Sequence, residues 1–488
     1  MSTVSSNSDQ GPRIEHDLLG ERETPSSVYW GIHTLRAIEN FPITGIPIST
    51  YPDFINALAA VKEAAARANH ELGKLSAPHM NAIVAACREI QGGSLHDQFV
   101  VDVIQGGAGT STNMNANEVI ANRALELMGH NRGDYARLHP LEHVNLSQST
   151  NDVYPTAIKV GLLFAIRGLG AALAELRQAF QTKAAEFRDL IKLGRTQLQD
   201  AVPMTLGQEF SAYAVMIEED EERLREASAL VREINLGATA IGTKITSPPG
   251  YAPLVCDHLS QIIGIRLVTA PNLVEATQDT GSFVQLSGVL KRIACKLSKI
   301  SNDLRLLSSG PCAGLNEINL PPRQAGSSIM PGKVNPVIPE VVNQVAFEVI
   351  GNDVTISFAS EGGQLQLNAF EPIIAYSLFK SVSHLRNACR TLAENCVRDI
   401  TANRDRLRQN VENSLALATL LVPEIGYERS TELAREASHT GRRIYDLVLE
   451  REWITRERLD EILLPENLTG LSRKSGEWRI ARKNGVNP

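Results

Sequence analysis

Aromatic residues make up only 5% of this 488-residue chain, and nowhere does it hold 18 consecutive uncharged apolar residues. The first shortage suits a core of Leu and Ala packed closely rather than one built on large rings. The second leaves no obvious membrane-crossing segment. A basic excess is also missing: Lys and Arg number 48 against 55 Asp and Glu, a net charge of −7. Nucleic acid and anionic membrane surfaces need a concentrated positive footprint, so neither is expected as a partner. The six cysteines, Cys87, Cys256, Cys295, Cys312, Cys389 and Cys396, are scattered with no CxxC pair. That excludes a disulfide or zinc framework from the expectations and points to reduced thiols in a cytoplasm. No HExxH or Cys/His cluster proposes a metal, and no cofactor is expected. The N-terminal stretch MSTVSSNSDQGPR is polar and lacks an apolar targeting segment, so residues 1–12 read as a disordered tail of a soluble protein.

What the chain does have is helical periodicity. Leu286, Leu290, Ile293, Leu297, Ile300, Leu304 and Leu307 recur at steps of four and three between Phe283 and Ser308. A second seam runs through Ile166, Leu169, Leu173, Leu176, Phe180, Phe187 and Leu190, and a third through Phe210, Tyr213, Ile217, Leu224, Val231 and Ile234. A further apolar stretch, Val341 to Phe358, carries Asn343, Gln344, Asn352 and Asp353 among its Val and Ile residues. Shorter helical pieces precede these, at Phe54–Leu72 and Asn81–Ile90, and follow them, at Ser430–His439 and Arg456–Ile462. Such a pattern predicts an all-α protein with lengthwise helix packing. The expected divisions are a mostly helical N-terminal domain over 1–148, a central long-helix bundle over 149–402 and a small helical domain over 403–488.

Four polar stretches interrupt the apolar seams: QGGAGTSTNMN (Gln105–Asn115), SQSTNDVYPT (Ser147–Thr156), GRTQLQDAVPMT (Gly194–Thr205) and GSSIMPGKVNP (Gly326–Pro336). They read as loops. Any one of them is explained by helix capping and turns; four strain that explanation. Hydroxyls, amides and glycine-exposed N–H groups hold carboxylates, so a small anionic ligand is implied, with Lys333 as a point charge beside it. A phosphate loop GxxxxGK[ST] is nearly matched by Gly326 to Lys333, but five residues separate the glycines and Val334 stands where the hydroxyl belongs. QGGAGTS lacks the GxGxxG spacing of dinucleotide sites. His33, His143 and His439 receive no role.

On these residues the chain resembles the aspartase/fumarase superfamily. GSSIMPGKVNP is similar to its signature, and the likeness extends through GIHTLRAIENF (Gly31–Phe41), the other three polar stretches, NLGATAIGT (Asn235–Thr243) and GQLQLNAFEP (Gly363–Pro372). Gln197 stands where fumarases carry His, and Tyr154 where they usually carry Phe, so the resemblance is to the ammonia-eliminating branch. It implies three mostly helical domains, the central bundles joining in a homotetramer with a tetrameric helical core and active sites shared between subunits. It implies reversible elimination of ammonia from L-aspartate to give fumarate. A fumarase, or a non-catalytic scaffold of the same fold, remains the alternative.

The resemblance also implies roles. Ser327 would be the general base, with Ser328 beside it. Thr110, Ser149 and Thr150 would surround the carboxylate next to the departing proton, with Lys333 and Asn335 at the other carboxylate. Asn151, Thr196 and Gln197 would face the amino group. Glu340 pairs with a His in fumarase-like members, and with Gln197 in that place it is left outside the catalytic set. A serine hydroxyl is a poor base unless positive charge or N–H dipoles make it acidic, and Lys333 is the candidate visible in the sequence.

Overall fold

The structure is a computed structural model that describes residues 11–464 and 467. The tail expected over 1–12 lies outside these residues except for Gly11 and Pro12, as does the end of the expected C-terminal domain. The chain is all-α. Its helices are α1 Ile32–Asn40, α2 Pro52–Glu71, α3 Ala77–Gln91, α4 Thr110–Leu127, α5 Thr150–Glu186, α6 Leu206–Leu230, α7 Tyr251–Ile263, α8 Leu273–Ala276, α9 Gly281–Leu307, α10 Val337–Glu361, α11 Glu371–Asn395, α12 Arg404–Glu412, α13 Leu417–Ile425, α14 Tyr427–Thr440, α15 Ile444–Glu450 and α16 Arg456–Ile462. The strands form two-stranded pairs: β1 Arg13–Asp17 with β2 Gly20–Thr24, β3 Ile191–Thr196 with β4 Gln199–Thr205, β5 Glu233–Ile234 with β6 Val268–Thr269, and β7 Ile318–Asn319 with β8 Thr401–Ala402. All are antiparallel except the third.

The seven-residue seam predicted for α9 is buried along its whole length, from Leu286 to Leu307. In the other two seams the helix ends before the apolar pattern does. Phe187 and Leu190 lie beyond α5, and Val231 and Ile234 beyond α6, yet Phe187, Val231 and Ile234 are buried. An apolar period reports burial, and a turn can bury a side chain as well as a helix can. α5 is long and apolar enough to cross a membrane, but 67% of its most apolar window is buried, as in a core helix.

The chain divides into two compact units. Of the described residues, the first comprises those up to 172, 220–295 and 344–387. Within it α2 packs against α3 and α7, and α4 against α1 and α3. The inner face of α2 is Ala57, Leu58, Val61, Ala64, Ala65 and Ala68, fully buried. Side chains this small let helix axes come close, which explains how the core does without many aromatics. Of the described residues, the second unit comprises 173–219, 296–343 and those from 388 onward. Here α12 and α13 pack on the β3–β4 hairpin, and α13 on α14. Leu193, Val411, Leu421, Leu433, Leu447 and Leu459 share its apolar core.

Candidate active site

The polar stretches expected as loops are largely ordered elements, and hydrogen bonding explains why. In QGGAGTSTNMN only the glycine-rich half is a turn: Gly107, Ala108 and Gly109 take φ of 86°, 55° and 90°, and α4 then starts at Thr110. Thr110 is exposed, its N–H and hydroxyl both donating to the Gly107 carbonyl, at 3.0 and 2.8 Å. SQSTNDVYPT is the start of α5. Asp152 caps it by accepting from the N–H of Ser149 at 3.0 Å, and further from Thr239 at 2.8 Å and Gly237 at 3.1 Å. Ser149 Oγ accepts from the Asn151 N–H at 3.2 Å. Pro155, inside the helix, has no N–H to give the Asn151 carbonyl. Asn235 Nδ2 replaces it, at 3.0 Å, while Asn151 Nδ2 donates to the Ala240 carbonyl at 2.7 Å. The first unit thus holds Thr110, Ser149, Thr150 and Asn151, three of them in succession at a helix start.

GRTQLQDAVPMT is a hairpin, not a loop. β3 and β4 pair from Ile191 opposite Thr205 to Thr196 opposite Gln199. The two-residue turn between them is Gln197-Leu198 with φ of 54° and 62°, the twist that suits a tight hairpin but is built here without glycine. Thr196 and Gln197 therefore stand exposed at its tip. Its base is anchored by charge: Glu317, fully buried, meets Arg195 at 2.6 Å and Lys192 at 3.1 Å, and Lys192 meets Glu209 at 2.6 Å.

GSSIMPGKVNP is a loop tied at its neck. The Gly326 N–H donates to the Lys333 carbonyl at 2.9 Å, and Asn335 Nδ2 to the Gly326 carbonyl at 2.7 Å. A side chain on Gly326 would place Cβ 2.3 Å from the Lys333 oxygen, so only glycine fits. Inside the loop, Ser327 Oγ accepts from the N–H groups of Met330, at 2.9 Å, and Ile329, at 3.2 Å. Both dipoles favour a negative oxygen. Ser328 and Lys333 are exposed, and Asn335 opens the way into α10. Thr196, Gln197, Ser327, Ser328, Lys333 and Asn335 all belong to the second unit. Glu340 lies 3.9 Å from Arg305, a distant pair on a partly exposed face.

Sequence reasoning missed the polar layer beneath Thr150. Lys62, buried in the alanine-rich α2, donates to Asn145 Oδ1 and Gln148 Oε1, each at 2.9 Å. Asn113 Nδ2 donates to Asn145 Oδ1 and to Thr150 Oγ1, each at 3.1 Å. Burial lowers Lys62 to about 7, opposed by the charge of Asp152. Burial likewise raises Asp152 to about 7, against its N–H donors and Lys62. A lysine flanked by AAV and EAAA was the signal. In the same unit Glu118 organises GIHT: it accepts from the N–H groups of Gly31 and His33, each at 2.8 Å, and from the Thr34 hydroxyl at 2.6 Å.

Among the described residues no three His, Cys, Asp or Glu side chains gather as metal ligands would. The first unit's candidate residues offer hydroxyls and an amide, and the second unit's offer hydroxyls, amides, N–H dipoles and a lysine.

Comparison with known proteins agrees. A family model described as "Lyase" matches residues 20–351, and one described as "Fumarase C C-terminus" matches 417–470. The chain is 58% identical to an aspartate ammonia-lyase of Pseudomonas aeruginosa over 469 residues, covering 96% of this chain and 98% of the relative. It is 53% identical to an aspartate ammonia-lyase of Escherichia coli K12, over 93% of this chain and 96% of the relative. Among solved structures, fumarate lyase:delta crystallin from Brucella melitensis bound to cobalt superposes with a TM-score of 0.91 at 55% identity, covering 94% and 100% of the two chains. The class II fumarase of Schistosoma mansoni gives 0.88 at 36% identity, covering 93% and 98%. The chain belongs to the aspartase/fumarase superfamily of lyases.

Proposed function

We infer that the chain is a carbon–nitrogen lyase, an aspartate ammonia-lyase, that reversibly eliminates ammonia from L-aspartate to give fumarate. Relatives of that activity match nearly its full length. The observation that carries the mechanism is the pair of N–H groups aimed at Ser327 Oγ. Removing a proton from carbon 3 is the hard step, because the carbon is acidified only by the neighbouring carboxylate. Two N–H donors stabilise the alkoxide of Ser327 over its hydroxyl, lowering its pKa, and so make it a base. On this reading the N–H groups contribute to that activation, and the Lys333 ammonium pairs with a substrate carboxylate.

The electrons left on carbon 3 move into the carboxylate as an aci-carboxylate bearing two negative charges. Thr110, Ser149, Thr150 and Ser328 are its donors, neutral groups placed where charge develops. Lys333 and Asn335 hold the other carboxylate, and Asn151, Thr196 and Gln197 receive the amino group as it leaves. Collapse of the intermediate expels ammonia from carbon 2 and leaves fumarate.

The same reading takes in the divisions 1–148, 149–402 and 403–488, a cytoplasmic location, and a homotetramer whose subunits share active sites. The divisions are supported by the placement of the five helices of 25 residues or more, α5, α6, α9, α10 and α11, within 149–402, and by the short α12–α16 after them. Supporting the tetramer, Phe347, Val354 and Phe358 stand exposed along one face of α10, an apolar stripe of the kind partners cover.

The test is the ultraviolet absorbance of fumarate in purified protein given L-aspartate or L-malate separately. Fumarate from aspartate alone supports the lyase. Fumarate from malate alone makes the chain a fumarase, and none from either returns it to the non-catalytic scaffolds.

A further inference from the structure

Resting on the reading of Thr150 as a carboxylate donor, we propose that Asn113 is a positioning residue that turns the Thr150 hydroxyl hydrogen toward the substrate. The argument follows hydrogen-bond polarity outward from a group whose polarity is fixed. An ammonium only donates. Lys62 Nζ lies 2.9 Å from the side-chain amides of Asn145 and Gln148, so both present oxygen to it. Gln148 agrees from its other side, where Nε2 donates to the carbonyls of Val144 and Leu146, each at 3.0 Å. Were Lys62 to lose its proton, the amine would still carry two N–H bonds, enough for both contacts.

Asn145 Oδ1 then accepts from every group that meets it. Asn117 Nδ2 approaches it at 3.2 Å and Asn113 Nδ2 at 3.1 Å. The edge of Asn113 facing Thr150 is consequently its nitrogen, 3.1 Å from Oγ1. An NH2 group has two hydrogens, one for Asn145 and one for Thr150. Thr150 Oγ1 accepts, and its own hydrogen remains for an acceptor outside the network. A carboxylate offers nothing but acceptors.

The arrangement has a visible cost. Asn113 Oδ1 and Asn117 Oδ1 are buried without a hydrogen-bond partner. Turning the Asn113 amide over would set oxygen against oxygen at Asn145, so the fold leaves Oδ1 unpartnered instead. Asn113 lies one helical turn after Thr110 on α4, so one helix supplies both a donor for the carboxylate and the group that aims a second.

The experiment compares Asn113→Asp, Thr150→Val and the double variant. L-aspartate turnover is measured together with inhibition by succinate, a dicarboxylate that cannot react. The introduced carboxylate accepts only, so it draws the Thr150 hydrogen onto itself. Each single change is expected to weaken succinate binding and to lower kcat/KM by roughly 10- to 100-fold, the range of a hydrogen bond to a charged group. The double variant should be no worse than the poorer single. Should Asn113→Asp fail to fold, Asn113→Leu enters the same cycle with the same expectation. Losses that multiply in the double variant, or wild-type succinate affinity in Asn113→Asp, overturn the inference while leaving the aspartate activity in place. A wild-type protein inactive on aspartate, or an unimpaired Thr150→Val, overturns instead the reading on which it rests.

Discussion

Gly109 faces the Tyr154 ring so closely that a Cβ on it would lie 2.4 Å from the ring's Cγ, at a backbone φ of 90°. The contact joins the turn ahead of Thr110 to the helix that starts at Thr150. Gly109→Ala therefore carries two penalties, a strained backbone and an overfilled core, together roughly 2–4 kcal/mol. Removing the ring relieves just one. In Gly109→Ala/Tyr154→Leu, part of the loss in urea midpoint and in kcat/KM should return relative to Gly109→Ala; a double variant worse than either single would contradict this geometry.

Ser327→Ala deletes the proposed base and leaves the neck of its loop intact, since the Gly326, Lys333 and Asn335 bonds do not involve that side chain. Turnover should fall by several orders of magnitude with the circular dichroism spectrum and assembly unchanged. KM should move far less than kcat, because the group acts on the proton rather than on the bound carboxylates. Activity within tenfold of wild type would remove Ser327 from the mechanism.

Glu317→Gln keeps the shape of the anchor beneath the hairpin and takes away its charge. Arg195 loses its partner and Lys192 keeps only Glu209. Breaking a buried pair at one end costs about 3 kcal/mol. The urea midpoint should drop accordingly, and aspartate turnover should weaken through Thr196 and Gln197 at the hairpin tip.

Asp102 predicts a pH effect of definite sign. Burial would raise its pKa, but the N–H groups of Ile104, Thr44 and Gly45 and the Thr44 hydroxyl outweigh it, leaving the carboxyl below its usual value. A depressed folded value means stability that is present above the unfolded pKa, about 3.9, and lost as pH falls through the folded one. The urea-midpoint gap between wild type and Asp102→Asn should be widest near neutrality and shrink in acid. A gap independent of pH would contradict the sign.

The stripe on α10 gives a prediction about assembly. Phe347→Glu/Phe358→Glu places two charges on a face now apolar and exposed in one chain. If the proposed tetramer uses this face, sedimentation should show smaller species in the variant, and aspartate turnover should fall with the loss of the sites the subunits are proposed to share. An intact, active tetramer would show that this face is not the interface.

Much of the scaffold was legible because long helices repeat their signal. The α9 seam names seven buried residues without knowledge of any neighbour. Residues 194–205 were illegible as a hairpin for a physical reason: the turn is made by Gln197 and Leu198, neither of which announces a positive φ as Asn-Gly would. The burial of α4 hid in the same way, since Asn113, Asn115 and Asn117 look like surface residues until their partners are known. The candidate site residues could be named by resemblance. What the sequence could not supply was direction: which atom donates at Thr150, and that the N–H groups of Ile329 and Met330 point at Ser327 Oγ.

The tied neck of the 326–335 loop bears on the economy of repeated turnover. A segment closed on itself through Gly326, Lys333 and Asn335 would keep its internal bonds if it moved as one piece about its ends. The N–H groups of Ile329 and Met330 would then travel with Ser327. If Ser327 is the base, as proposed, a loop moving in this way would bring it to the substrate already assembled.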